Sequence, residues 1–254
     1  MELDRGFFYS IVGFLGGLYL FFMGLVWFKR KRLIEDIPTS KIRSLAMGQA
    51  EVYGEVVLAE GKILKSPFTA SDCVYYKYTV EEKISTGKSS HWRTIASGEY
   101  GTQFYLRDDT GSALVDPKGA EIDIPVDWHV GSGLGQDPPE SVKMFLGTQK
   151  INFEGFFGMN KTMRYKEYYI APGDKLYVMG MAGDNPFLEE AWAKSSAEDI
   201  MMQKGEEGEV YYISDRSEKG ILNELTLKAF GGVFGGGALA IFCLYVILRY
   251  LNLF

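Results

Sequence analysis

Enzymatic chemistry at neutral pH needs a nucleophile, a general base or a set of metal ligands, and this 254-residue sequence supplies few. Its cysteines are Cys73 and Cys243, and its histidines are His91 and His129. No C-x-x-C or H-x-x-x-H pair occurs among them, and a structural zinc site takes four ligands, so the sequence predicts no metal site and no cofactor. A reactive cysteine needs its pKa lowered by a histidine, a cation or a helix N-terminus. Cys73 lies in SPFTASDCVYYKYTVEE (66–82). Asp72 raises its pKa, and Val74-Tyr75-Tyr76 bury it. It reads as a small apolar residue opening a strand. A disulfide to Cys243 requires Cα atoms within ~7 Å, which separate compartments exclude.

The remaining constellations also read as structural. Gly131-Ser132-Gly133-Leu134-Gly135 lacks the Gly-Lys-Ser/Thr ending of a phosphate loop and the G-x-S-x-G frame of a nucleophile elbow, and is expected to be a flexible loop. Asp108-Asp109 falls on a tight turn, where neighbouring carboxylates point apart. His91-Trp92-Arg93 is either a cation–π cluster or a loop end with one buried tryptophan. No catalytic residue is assigned.

The elements around these residues fall into two textures. Phe7–Phe28 and Ala229–Leu248 contain no charge. At ~1.5 Å per residue each can cross a hydrocarbon core of ~30 Å. The first is too long for a signal-peptide apolar region and ends in Trp27-Phe28 and a basic cluster. Lys29, Arg30, Lys31 and Arg32 follow it directly, serving as topology signal or lipid-headgroup contact. Arg216, Lys219 and Lys228 precede the second run. The charge bias predicts both termini outside and a large middle domain in the cytoplasm. Between Leu33 and Lys228 there are 21 lysines and arginines against 31 aspartates and glutamates, an excess of ten negative charges. That surface repels phosphate backbones, so no nucleic-acid partner is expected.

Within the middle, short strands are expected over 49–59, 73–83, 92–97, 102–107, 112–116, 162–170, 175–181, 200–203 and 209–213, with a bulge or bend at Gly54 and one helix over 140–146. Asp108-Asp109-Thr110-Gly111 turns a hairpin. This spacing suggests a membrane-anchored α+β protein with a β-rich, OB-like barrel between two transmembrane helices. The expected segments are a tail (1–6), a first span (7–28), the soluble domain (29–214), an exit helix continuing into the second span (215–249) and a tail (250–254). Asp215, three residues before Glu218, is the expected N-cap of that helix.

Two further signals concern contact. Gly13 and Gly17 in the first span, with Gly231, Gly232, Gly235 and Gly236 in the second, place small residues where helix backbones can approach. They predict packing of the spans on each other or on another copy of the chain. Phe153, Phe156 and Phe157 stand in a glycine-bracketed loop, FEGFFGMNKTMRYKEYY (153–169), and either pack in the core or meet a partner or the bilayer.

IEDIPTSKIRSLAMGQAEVYGEV (34–56), the 66–82 segment, HWRTIASGEY (91–100), FYLRDDTGSALVDPKGAEI (104–122), KLYVMGMA (175–182) and VYYISDRSEKGILNEL (210–225) resemble, in that order, the GIDE or "beside a membrane" domain. That domain is known from a mitochondrial membrane-anchored E3 ubiquitin ligase. The resemblance implies a β-rich domain flanked by transmembrane helices. Eukaryotic members add a cytosolic RING, which holds two zinc ions; this sequence ends at Phe254, and its four Cys/His residues cannot supply four ligands to each. In the mitochondrial relatives the domain faces away from the RING side, whereas the charges here place it in the cytoplasm. The expected function is a scaffold or interaction module for an unknown membrane-associated protein. A ligase-like enzyme acting through Cys73 and a lipid or small-ligand sensor are the alternatives.

Overall fold

Within the strand Gly48–Leu58, residues 52–56 alternate buried and exposed as a half-buried strand should, and the strand seeds the larger of two sheets. The computed structural model describes residues 5–35, 40–59, 61–87, 89–153, 160–185, 200–206, 209–216 and 218–251. The elements in chain order are α1 (Arg5–Glu35), β1 (Gly48–Leu58), β2 (Leu64–Lys65), β3 (Asp72–Cys73), β4 (Tyr75–Ser85), β5 (Ser90–Gly101), β6 (Phe104–Arg107), β7 (Ser112–Val115), β8 (Glu121–Asp123), β9 (Trp128–Ser132), α2 (Glu140–Thr148), β10 (Met163–Ile170), β11 (Lys175–Asp184), β12 (Ile200–Gln203), β13 (Tyr212–Ser214), α3 (Glu218–Phe230) and α4 (Gly237–Tyr250). Two compact units divide the chain: Thr39–Arg216 and the helical segments that flank it in sequence.

In the β unit, strands run β1-β6-β7-β12-β11, and β11 pairs back with β1 to close a five-stranded barrel. All its pairs are antiparallel except β7–β12. This agrees with the expected β-rich barrel. β13 and β8 extend the sheet from β11. Val52, Phe104, Leu106, Val115, Leu176, Val178, Met202 and Ile213 are all fully buried in its core. Gly54 is not the expected bulge, because pairing with β11 runs through it without a register shift. Its reason is proximity: a Cβ there would lie 2.6 Å from the Arg107 carbonyl oxygen.

The second sheet, β5-β4-β10-β9, is built from two insertions into the barrel's chain path. β4 and β5 form a hairpin between β1 and β6; β9, α2 and β10 lie between β7 and β11. Val142 and Leu146, one turn apart on α2, bury completely against Val80, Met163 and Tyr165. Phe68 meets Phe145 edge to face at 5.1 Å in the same cluster. The weak strand expected over 92–97 is a twelve-residue strand. The segment expected to be loop from Gly131 begins inside β9.

In the helical unit, a π-helical segment, Gly231–Gly236, joins α3 to α4, so the single helix expected over 215–249 is interrupted there. Arg5–Glu35 and Gly220–Tyr250 are each long and apolar enough to cross a membrane. Phe8, Tyr9, Leu15 and Phe22 of α1 and Ile241 and Phe242 of α4 are exposed, unlike the side chains of a soluble core helix. The helices run antiparallel at backbone contact. A Cβ at Gly17 would lie 2.7 Å from the Ala240 nitrogen, and one at Gly24 2.5 Å from the Val233 nitrogen.

Candidate interaction site

The 66–73 segment forms a clip around a carboxylate rather than a reaction centre. Glu167 points inward from β10 and is fully buried. It accepts hydrogen bonds from the Phe68 nitrogen at 2.6 Å, the Thr69 nitrogen at 3.2 Å, the Ser66 hydroxyl at 3.1 Å and the Thr69 hydroxyl at 2.5 Å. The loop reaches it by a tight path: the Ala70 nitrogen donates to the Ser66 carbonyl, and Ala70 takes a φ of 55°. A buried carboxyl group demands such partners, and four donors from one loop staple that loop to β10. Sequence reading passed over Glu167, whose place in YKEYY resembles any half-exposed strand position.

Cys73 sits beside this clip with no exposed surface. Burial pushes its thiol up to about 12, with Glu167 and Asp72 adding to the effect and Lys65 opposing it. At neutral pH it is a protonated thiol, whose Sγ lies 3.8 Å from the Leu64 carbonyl. His91 and His129 stand on β5 and β9, the opposite edges of the second sheet. Among the described residues no cluster of three metal-ligating side chains occurs.

The other sequence candidates take structural places. Ser132 is buried, its hydroxyl 3.1 Å from that of Tyr165 in the second core. Asp108 accepts from the nitrogens of Thr110 at 2.7 Å and Gly111 at 3.0 Å, and across the fold from the Ile42 nitrogen at 3.0 Å. Burial pushes its carboxyl up, but the bonds from Thr110, Ile42 and Gly111 outweigh that and hold it below the usual range. Trp92 does form a cation–π contact, yet its partner is Arg164 of β10, at 4.2 Å, and not Arg93. Arg93 pairs with Glu82. Arg164 also holds Glu81, whose carboxyl is lowered chiefly by that bond and further by Lys166, against the effect of burial.

Phe153 packs against the second core, and Phe156 and Phe157 lie outside the described residues. Lys29, Arg30, Lys31 and Arg32 are on the continuing α1 helix, with Lys31 paired to Glu35 at 3.0 Å and Arg32 over the Phe28 ring at 5.1 Å. Gly13, Gly17, Gly232 and Gly236 line the contact between the two long helices, whereas Gly231 and Gly235 face open space.

What remains accessible is the outer hairpin of the second sheet. β5 is the longer of the sheet's two edge strands, and its residues are exposed except near Ile95, Ala96 and Gly98. Pairing slips between Val80 and Glu81, leaving Ile95 as the extra residue of a bulge. The C-terminal end of β5 forms one wall of a cleft of about 640 Å³; the β7–β8 connection forms the other. The Tyr75 hydroxyl donates to Glu99 at 2.9 Å at the cleft's edge. Burial, and then the bond to Glu99, push the Tyr75 pKa up, so it stays a neutral donor. Sequence reading missed this surface because glycine and serine in ASGEYG dilute the strand signal.

A family model described as GIDE, E3 ubiquitin ligase, matches residues 74–246, from the first residues after Cys73 into α4. No curated protein and no solved structure matches the chain.

Proposed function

The chain belongs to the GIDE family, and from that membership we propose that it is a membrane-anchored docking module rather than an enzyme. The observation that carries the reading is a contrast in access. Its one thiol outside the apolar helices is buried and protonated, while a twelve-residue outer strand stands open beside a cleft. Within these 254 residues the four Cys/His side chains are scattered over Cys73, His91, His129 and Cys243, too few for the paired zinc ions of a RING. We therefore assign no ubiquitin-transfer step, although the family description names a ligase.

In this reading the two long helices cross the bilayer, and the basic residues after the first and before the second keep the β unit on the cytoplasmic side. A module tethered at both ends meets other membrane components at raised effective concentration. Phe153, Phe156 and Phe157 are a second contact in the same proposal. The test combines three measurements on the full chain. Alkaline carbonate should leave it in the membrane pellet. Protease added from the cytoplasmic side should cleave within 39–216. Alkylating reagent should label Cys73 only after denaturation. Rapid labelling of folded Cys73 would instead favour the acyl-transfer alternative, and release by carbonate would remove the anchor.

A further inference from the structure

An outer strand next to a cleft is the arrangement by which extended peptides are captured. Main-chain bonds along the edge supply affinity, and the cleft selects a side chain. The orientation of β5 fits this use. The Thr102 nitrogen donates to the Val74 carbonyl at 2.8 Å, and Tyr100 and Gly98 stand opposite Tyr76 and Tyr78. In an antiparallel ladder alternate residues turn their N–H and C=O groups to the same neighbour. If Thr102, Tyr100 and Gly98 face β4, then Gly101, Glu99 and Ser97 face away from the sheet. The same residues bring the cleft with them, because Glu99 and Gly101 line it together with Tyr75, Asp116 and Lys118.

We propose that β5 adds an extended partner strand through Ser97, Glu99 and Gly101, and that the cleft receives an arginine or lysine side chain of that strand. This rests on the docking role proposed above and names its partner: an exposed, extended protein segment carrying a basic residue. Charge selects that partner. The cleft is lined by two acidic residues, Glu99 and Asp116, against one basic residue, Lys118; the Tyr75 hydroxyl holds Glu99 at the rim, and the Lys118 main-chain nitrogen donates to the Asp116 carboxylate at 3.1 Å. The domain between the spans carries ten negative charges in excess, which steers a basic segment toward it. The cleft wall is closed by Pro117, which a Cβ at Gly101 would meet at 2.8 Å, so only glycine leaves the floor clear at that position. An acidic segment would meet repulsion along the same path.

The experiment uses the full chain in lipid nanodiscs and two synthetic decapeptides. One alternates threonine and valine around a central arginine; the other has glutamate in its place. The arginine peptide should bind, and the glutamate peptide should bind at least about tenfold more weakly. Ser97→Pro removes an outward N–H without taking a bond from β4, and should weaken the arginine peptide about tenfold while melting is unchanged. Glu99→Gln combined with Asp116→Asn should erase the preference between the peptides. Equal affinities for both peptides in the unaltered chain, or arginine binding unmoved by Ser97→Pro, would overturn the proposal. Failure here is separable from failure of the docking role. A chain with Ser97→Pro that still retains its membrane partner keeps the role and loses this site. An unaltered chain that retains none loses both.

Discussion

The barrel and the second sheet share one chain but solve the edge problem in opposite ways. In the barrel, β11 returns to β1, and every strand of the cylinder has two neighbours. Closure leaves the cylinder itself no free edge strand. One edge of the second sheet is β5, twelve residues long and without lysine or proline; among the described residues its protection is the bulge at Ile95 and the charges of Arg93 and Glu99. The barrel therefore carries stability, and the inserted hairpin carries the capacity for contact.

The sharpest way to break this contrast is to put proline on both sides of it. Val178 lies in β11 between β1 and β13, opposite Val52 and Ile213. Val178→Pro should cost about 3 kcal/mol or more and unfold the β unit, seen as loss of its cooperative melt. A folded Val178→Pro chain would refute the claim that the barrel carries the stability.

Next in size is the staple between the two sheets' insertions. Glu167→Ala strands four donors of the 66–71 loop and should cost about 3 kcal/mol, with Cys73 becoming reactive to alkylation in the folded chain. Glu167→Gln, which keeps an acceptor, should expose Cys73 far less. Similar labelling of Cys73 in both variants would remove Glu167 as the staple.

A smaller effect should come from Asp108→Ala, about 1–2 kcal/mol at pH 7, through loss of the bonds to Thr110, Gly111 and Ile42. Its pH dependence has a definite sign. The folded carboxyl is held below its unfolded value, so its contribution is complete above the unfolded pKa of about 3.9 and disappears as pH falls through the folded one. Stability curves of parent and variant should converge in acid; divergence there would contradict the assignment. The smallest effect belongs to Ser97→Pro, expected within about 0.5 kcal/mol of the parent because its N–H faces away from β4. A large destabilisation would mean that β5 is not a free edge.

Particular residues show how much was legible beforehand. The apolar runs, the turn at Asp108 and the helix at Glu140 could be read because each is a local pattern: a stretch without charge, an Asp and Gly in a tight loop, Val142 and Leu146 one turn apart. Glu167 could not be read, since only the fold brings the 66–71 loop over it. The same holds for Trp92, whose neighbour in sequence is Arg93 but whose partner in space is Arg164. Gly54 suggests a bulge or bend in the sequence, but its cause is the Arg107 carbonyl of another strand.

Sequence alone settled the two long apolar runs and the poverty of reactive side chains, because composition and short-range periodicity encode burial and turn preference directly; family membership came from the order of its sequence blocks. Tertiary structure decided which strand lies on the outside, which carboxylate is buried and what the cleft is made of. Those properties come from pairings between residues far apart along the chain, and hydrogen bonds in a ladder leave their mark on geometry rather than on residue type.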